Sequence, residues 1–431
     1  MTSWFDTARF GMFVHWSHCS QQGIELSWPL VGGVSALPHC GAVPVDQYHA
    51  TAATFDPQAY DPSQWARMAK RTGMQYAILT AKHHDGYAMF DTKVSDHSVM
   101  RSPFGRDVVR EFVEAMRAEG IRVGLYFSLI DWHHPDYPAF MQADQPYRWG
   151  AWRQPDAAQR ARFIDFMFAQ VRELLTNNGT IDVLWFDGGW ERTAEQWQAR
   201  ELQDMVRQLQ PDIRINDRLP GFGDFSTPEQ FVPPQPLPGP WEVCLTINES
   251  WGYNREDRHF KSARQLIHTL CEIAGKGGNL LLNVSPMGDG CLQPELVERL
   301  AVIEQWMSKN AESIVGTTPG LELWQFYGPS TRRGDRLYLH LLMRPYESVS
   351  VRGVQIKRVR SVRALSTGEE LPFATRCSIV DQMLNPDPQG ELTVAVPGAA
   401  LDPYATVIAI DFADRPAGAN EEGDREGPQL P

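Results

Sequence analysis

Several common kinds of catalytic motif are missing from this chain of 431 residues. The six cysteines have neither metal-ligand nor disulfide-framework spacing, so we expect free thiols in a reducing compartment. The sequence contains no His-Glu-x-x-His run and no Gly-x-Ser-x-Gly elbow, and its glycine-rich residues 275–278 precede a predicted strand instead of following one. These absences argue against zinc hydrolases, elbow-type serine hydrolases and nucleotide-binding enzymes.

Basic runs and long apolar stretches are absent too. The formal net charge is −13, which argues against nucleic acid or an anionic membrane as a partner. No window approaches the roughly 18 apolar residues of a membrane span. Residues 1–6 lack the basic start and apolar stretch of a signal peptide, so we expect a cytoplasmic protein. The oligomeric state stays open, with a homo-oligomer as one option.

Apolar runs that predict strands alternate with amphipathic stretches that predict helices. The strands are predicted at residues 11–15, 76–80, 121–127, 181–186, 213–216, 243–247 and 279–284. The helices are predicted at residues 62–72, 107–119, 157–177, 194–210, 261–275 and 293–309. This alternation indicates a parallel sheet, and an eighth strand in an irregular segment would complete a (β/α)8-like barrel.

The pattern changes after Gly320. Short predicted strands at residues 337–342, 348–352, 392–396 and 405–410 are separated by Gly, Pro and Asp turns, which predicts an antiparallel β-sandwich. The final residues are rich in Pro, Gly and acid. We therefore predict a (β/α)8-like catalytic domain over residues 1–318, a sandwich over 319–414 and a disordered tail over 415–431.

The segment Asp187-Gly188-Gly189-Trp190 is the most informative, because its carboxylate ends a predicted buried strand. The glycines leave room above Asp187, and Trp190 offers a flat apolar face for a sugar ring. An Asp that caps the next helix is the structural alternative. The ends of parallel strands build the sites of barrels, and other polar groups are predicted at such ends: His15, 82–85, 131–134, 216–218 and Trp241-Glu242.

Two of these groups have structural alternatives. His15 could be a hydrogen-bonded core histidine, and Asp217 with Arg218 could form a structural ion pair. A metal is disfavoured, because His83 and His84 would point to opposite sides of an extended segment and at most one could join a given site. We expect no catalytic metal and no cofactor.

A two-carboxylate mechanism remains, as in glycoside hydrolysis. We expect Asp187 to face a second acid across the barrel mouth. Glu242 is favoured over Glu249 and Glu25, because its apolar neighbour Trp241 would help to keep a carboxyl group protonated.

At these residues the chain resembles the retaining α-L-fucosidases of glycoside hydrolase family 29. The shared motifs lie at residues 4–6, 9–16, 82–87, 185–190, 216–218, 241–242, 250–253 and 277–284. The resemblance implies a metal-independent barrel enzyme with a C-terminal sandwich that acts on fucosylated oligosaccharides or glycoconjugates. It also implies Asp187 as nucleophile, Glu242 as acid/base, and a sugar pocket that includes His15, His83, His84 and Trp190.

The chain departs from the family pattern at two places. Ser17 stands where many members have Gly, and Glu25-Leu26-Ser27-Trp28 replaces a Glu-Trp-Tyr run, so Glu25 and Trp28 are expected to fill those substrate-binding places. Trp251 is expected to join them. Two other functions stay open: a retaining glycosidase for another L-sugar, such as α-L-galactose, and a non-catalytic carbohydrate-binding protein.

Overall fold

The computed structural model describes residues 3–32, 41–139, 141–144 and 150–413. The chain divides into two compact units, Met1–Leu266 with Gly278–Gln305 and Ile267–Gly277 with Trp306–Pro431. The predicted tail over residues 415–431 lies wholly outside the described residues. The boundary predicted at residue 318 stays a prediction.

The first unit is built around seven parallel strands in the order β5-β4-β3-β2-β1-β7-β6. Nearly every residue of these strands is buried, which is typical of parallel sheets that are covered on both faces. The strands are β1 (Phe10–Val14), β2 (Tyr76–Lys82), β3 (Arg122–Ser128), β4 (Val183–Asp187), β5 (Arg214–Ile215), β6 (Glu242–Thr246) and β7 (Asn279–Val284).

An irregular segment connects the two outer strands of this sheet. Isolated parallel bridges join Asn216 to Phe225, Ser226 to Trp241 and Glu229 to Cys244. Residues 225–229 therefore take the place of an eighth strand between β5 and β6. The (β/α)8-like fold class is confirmed, with its eighth position filled by a segment that has no strand pattern.

Helices alternate with these strands. They are α1 (Phe5–Ala8), α2 (Val45–Ala50), α3 (Pro62–Arg71), α4 (Val108–Ala118), α5 (Ala157–Asn177), α6 (Ala199–Leu209), α7 (Ala263–Gly275) and α8 (Pro294–Asn310). The last six match the predicted helices, with bounds that differ by up to five residues, whereas α1 and α2 were not predicted. Local capping explains some boundaries: the Asp61 side chain accepts from the first N–H groups of α3, and Asp156 with Gln159 forms a capping box on α5. Within the described ranges, none of the helices has the length and apolarity to span a membrane.

The C-terminal region contains antiparallel sheets of five strands, β12-β15-β10-β9-β8, and three strands, β11-β14-β13. One apolar core takes side chains from both sheets, including Leu339 of the first and Val351 of the second, which confirms the sandwich. The elements are β8 (Thr318–Pro319), β9 (Ser330–Arg333), β10 (Arg336–Leu341), β11 (Ser348–Gln355), β12 (Val359–Ala364), β13 (Phe373–Arg376), α9 (Ile379–Leu384), β14 (Gln389–Ala395) and β15 (Thr406–Phe412). The sequence pattern missed β8, β9, β12, β13 and α9, which have few buried residues.

Candidate active site

A cavity of about 240 Å³ lies at the carboxyl ends of the parallel strands. This volume is below the roughly 300–1,000 Å³ of drug-sized ligand pockets, which favours a ligand the size of one sugar ring. The cavity is lined by Phe13, His15, Trp28, His83, His84, Tyr126, Trp185, Asp187, Trp190, Arg218, Glu229, Cys244 and Trp251. Seven of the nine predicted site residues are in this set; Glu25 and Glu242 are not.

Asp187 is the last residue of β4, and its carboxylate is held from two sides. Tyr126 donates its hydroxyl to Oδ2 at 2.8 Å, and Arg218 donates Nη1 to Oδ1 at 3.1 Å. Gly188 has a φ of +77°, and a Cβ there would come within 2.7 Å of Ile130. Only glycine fits this turn without strain, so the local sequence directs the Asp187 carboxylate into the cavity.

His15 is oriented by a chain of two hydrogen bonds. The Asn283 side-chain amide donates to the Trp251 carbonyl at 2.7 Å, so its oxygen faces Nδ1 of His15 at 2.6 Å. Nδ1 must then carry the proton, and Nε2 is an acceptor. Burial, reinforced by the neighbouring His83, lowers the pKa of His15 to about 3, so the ring is neutral at physiological pH.

The same logic sets the tautomer of His84. Ser128 donates its hydroxyl to the Ile130 carbonyl at 2.8 Å, so Nδ1 of His84 is the donor in its 2.7 Å contact with Ser128 Oγ. Nε2 of His84 lies 3.8 Å from Asp187 Oδ2 and has no hydrogen-bond partner among the described residues. Burial lowers the pKa of His84 to about 3. His84 thus presents an acceptor for a ligand hydroxyl beside the carboxylate.

His83 shares the cavity with His84, with ring centroids 4.2 Å apart. The expectation that they would point to opposite sides was wrong, because they follow the end of β2 and begin a turn instead of extending the strand. The His83 ring contacts Ser27 Oγ through Nδ1 at 2.7 Å and stacks on Tyr126 at 5.5 Å. Burial lowers the pKa of His83 to about 3 as well.

Three tryptophans form apolar walls around the polar groups. Trp251 lies 5.0 Å from the His15 ring, and both Trp28 and Trp190 present an edge contact to His84. Trp190 is 37% exposed and stands at the mouth of the cavity. Such rings pack on the C–H faces of a sugar while the imidazoles meet its hydroxyls.

Glu242 does not face Asp187. It is the first residue of β6 and pairs in register with Asn279, the first residue of β7, whereas Asp187 is the last residue of β4. Because the strands are parallel, the two carboxylates lie at opposite ends of the sheet, and the expected acid/base position was wrong in that respect. Glu242 is fully buried and accepts from Tyr76 Oη and, at 3.0 Å, from Trp185 Nε1.

The other two acids considered from the sequence are also outside the cavity. Glu25 is buried and accepts the backbone N–H groups of Trp251 at 2.6 Å and Gly252 at 2.8 Å, so it positions the Trp251 loop and does not line the site. Burial raises the pKa of Glu25 to about 8. The Glu249 side chain is 49% exposed and lies 3.1 Å from His259 Nδ1.

The sequence interpretation missed Tyr126 and Glu229, and it placed Arg218 at a strand end without giving it a role in the site. Arg218 donates Nη2 to Glu229 Oε2 at 2.7 Å while its Nη1 holds Asp187, so one guanidinium bridges both carboxylates. Arg218 therefore pairs mainly with Asp187 and Glu229, and not with Asp217 as the structural alternative suggested. The sequence feature that could have indicated Glu229 is the long irregular stretch before β6, because such a segment can carry an acid into the site.

A second, more open cavity of about 480 Å³ adjoins the first and shares Trp190, Arg218 and Glu229 with it. Glu229 thus lies where the two cavities meet. Its side chain is 38% exposed, and Trp251 Nε1 donates to Oε1 at 3.1 Å. A group attached to a sugar in the first cavity would pass beside Glu229.

Groups of three closely spaced metal-type ligands occur twice among the described residues. They are His18, His49, His97 and Glu249, Asp257, His259. Neither set lines the cavity around Asp187.

The sequence matches the protein family described as Alpha-L-fucosidase over residues 1–312. It is 30% identical to the human tissue alpha-L-fucosidase over 374 residues, which cover 81% of this chain and 77% of the human protein.

Among solved structures, alpha-L-fucosidase isoenzyme 1 from Paenibacillus thiaminolyticus is 38% identical, with a TM-score of 0.83 over 95% of this chain and 98% of that one. A GH29 alpha-L-fucosidase from Bacteroides thetaiotaomicron, trapped as a covalent intermediate in a Glu-to-Gln mutant, is 26% identical, with a TM-score of 0.79 over 95% of both chains. The extent of these matches, together with the shared barrel, confirms the resemblance: this chain belongs to the alpha-L-fucosidase family of glycoside hydrolases.

Proposed function

We propose that this chain is an exo-acting α-L-fucosidase that cleaves terminal α-L-fucosyl linkages with retention, using Asp187 as nucleophile and Glu229 as acid/base. The observation that carries the proposal is the single guanidinium of Arg218, which contacts one oxygen of each carboxylate. Such a bridge is compatible with the short separation of a retaining pair, about 5–5.5 Å.

In the first displacement, an oxygen of Asp187 attacks the anomeric carbon, and the bond from that carbon to the leaving oxygen breaks. Protonated Glu229 transfers its proton to the leaving oxygen. The position of Glu229 between the closed cavity and the open one supports this role, since the scissile oxygen joins the sugar to its leaving group.

In the second displacement, ionised Glu229 removes a proton from a water molecule, and the water oxygen attacks the anomeric carbon. The bond to Asp187 then breaks and releases fucose with its original configuration. Arg218 stays charged throughout, because Asp187 and Glu229 raise its pKa in spite of its burial. Its charge compensates whichever carboxylate is ionised.

The neutral imidazoles can bind the hydroxyl groups of the sugar. His15 and His84 each present an unprotonated Nε2, which can accept a hydrogen bond from a sugar hydroxyl without the cost of a buried charge. The closed shape of the cavity and its tryptophan walls favour a terminal sugar, because an internal residue would need a second exit.

The test is hydrolysis of an aryl α-L-fucoside, with the anomer of the first product determined by NMR. Initial release of α-fucose supports the proposal, and β-fucose would reject the retaining mechanism. An aryl α-L-galactoside is the matched comparison, and an apolar pocket should disfavour its extra hydroxyl by roughly a hundredfold. A panel of α1,2-, α1,3-, α1,4- and α1,6-fucosylated oligosaccharides would identify the natural linkage. The cytoplasmic location stays a prediction.

A further inference from the structure

Three histidines come together away from the Asp187 cavity. Each of His18, His49 and His97 offers a ring nitrogen, and these nitrogens all lie within 4.8 Å of one another. His18 begins a short 3-10 helix after β1, His49 belongs to α2, and His97 lies in the loop that follows β2. Three separate segments of the chain therefore converge on one point.

The hydrogen bonds of Thr51 set the tautomer of neutral His18. Thr51 donates its hydroxyl to the Tyr48 carbonyl at 2.8 Å, so it can only accept from Nδ1 of His18 at 2.6 Å. Nε2 of His18 then has a lone pair. This nitrogen lies only 3.4 Å from Asp85 Oδ2, where two acceptors would repel each other unless a cation or a further proton lies between them.

Other nitrogens of the cluster lack partners as well. Both ring nitrogens of His49 and Nε2 of His97 are buried without a hydrogen-bond partner in the described part of the chain. Buried polar atoms in native proteins are rarely left in this state, so each requires an explanation.

We propose that His18, His49 and His97 form a structural site for a divalent transition-metal ion, zinc by preference, with the Asp85 carboxylate beside it as the compensating charge. Three imidazoles and an oxygen ligand suit zinc, and imidazole sites also accept cobalt and nickel. Asp85 is itself held by the Tyr87 backbone N–H at 3.1 Å. Thr51, which orients His18, supplies the outer-shell hydrogen bond that ligand imidazoles usually have.

The ion would fasten the loops that build the sugar pocket without touching the sugar. Asp85 follows His83 and His84 directly in the chain, and the His18 segment leads towards Trp28. His133, in the loop after β3, stacks on His97 with ring centroids 3.7 Å apart and extends the cluster to a further loop. The role is therefore structural and is independent of the two-carboxylate mechanism.

The experiment uses tag-free full-length protein, dialysed against a chelator and then titrated with Co²⁺ while its visible absorption is recorded. We expect one Co²⁺ per chain, with the intense bands of a tetrahedral site, and displacement by one Zn²⁺. His49→Gln and His97→Gln should each weaken Zn²⁺ binding by more than about a hundredfold. His259→Gln, an exposed histidine in the Glu249–Asp257–His259 group, is the matched control and should bind as the wild type does.

A wild-type protein that binds no Co²⁺ or Zn²⁺ would overturn the proposal. Equal binding by the His49→Gln and His97→Gln variants, or loss of binding in His259→Gln, would also overturn it. Zinc should raise the Tm of the chelated wild type by at least about 2 °C. Chelated protein should keep its kcat on an aryl fucoside at 25 °C; loss of kcat while the protein stays folded would contradict the structural role.

Discussion

The two ends of the parallel sheet each bury a carboxylate that accepts a tyrosine hydroxyl. At the carboxyl end, Tyr126 donates to Asp187, and at the amino end Tyr76 donates to Glu242. Asp187 also faces a cavity and the Arg218 guanidinium, whereas Glu242 is sealed beneath Trp185. The type of acid and its aromatic partners therefore do not distinguish the two carboxylates, whereas the end of the strand on which each lies decides whether it faces the cavity.

The difference in charge follows from the surroundings. Arg218 provides a permanent positive charge beside Asp187, while the described contacts of Glu242 at under 3.5 Å are with neutral groups. Burial therefore raises the pKa of Glu242 to about 7, and its hydrogen bonds offset only part of that effect. A raised pKa alone would have suggested Glu242 as the acid/base, but no substrate can reach it.

The largest effect on activity should come from Asp187→Gly at the carboxyl end of the sheet, which is open to the cavity. Turnover should fall by on the order of a thousandfold or more, because no other carboxylate can form the covalent intermediate. Sodium azide should restore part of the activity and give β-fucosyl azide. If Asp187→Gly is folded and keeps near wild-type turnover, Asp187 is not the nucleophile, and the proposed difference between the two ends of the sheet is wrong.

Glu229→Ala tests the second acid at the open end. Substrates with poor leaving groups should lose roughly 100- to 10,000-fold in kcat/KM, whereas activated aryl fucosides should lose much less, because only the former need protonation. The matched variant is Glu242→Ala: if it, and not Glu229→Ala, shows this leaving-group dependence, the acid/base assignment is wrong.

Glu242→Gln at the amino end of the sheet, where the carboxylate is sealed from the cavity, should change the stability of the protein instead of its catalytic activity. In the folded protein the pKa of Glu242 is about 7 against an ordinary 4.5, so the folded state holds a proton that the unfolded state has lost in this interval. Its stabilisation is full below pH 4.5 and is lost as the pH rises through 7, at up to about 1.4 kcal/mol per pH unit.

Chemical denaturation between pH 5 and 8 measures this slope. Glu242→Gln should make it less steep. Glu25, with a pKa of about 8, adds a slope of the same sign that is present in the variant and in the wild type. An unchanged slope in Glu242→Gln would show that this carboxylate is ionised when folded.

The smallest effect is expected from the imidazoles. His83→Ala and His84→Ala should each cost roughly 1–3 kcal/mol in transition-state binding, or about 5- to 150-fold in kcat/KM, because sugar hydroxyls would lose buried partners. His259→Ala, far from the cavity lining, is the control. Values for His83→Ala or His84→Ala that equal the control would exclude that histidine from sugar recognition.

Sequence reasoning succeeded where the signal is local. Hydrophobic periodicity predicted α3 to α8, with bounds within about five residues, and Asp187 was chosen as a candidate because a buried strand, two glycines and a tryptophan adjoin it in the chain. The site histidines follow strand ends in the same way. Each of these features is decided by neighbours that are close in sequence.

Tertiary structure alone decided the partner of Asp187. Glu229 reaches the site from an irregular segment that fills the eighth position of the barrel through isolated bridges. The sequence of this segment has no strand pattern that would predict them. Glu242 has the expected local sequence, but it is the first residue of β6, whereas Asp187 is the last residue of β4, and the two ends of the sheet face different environments. Which side chains share a cavity depends on the closure of the whole sheet, and closure is a property of contacts between residues far apart in the chain.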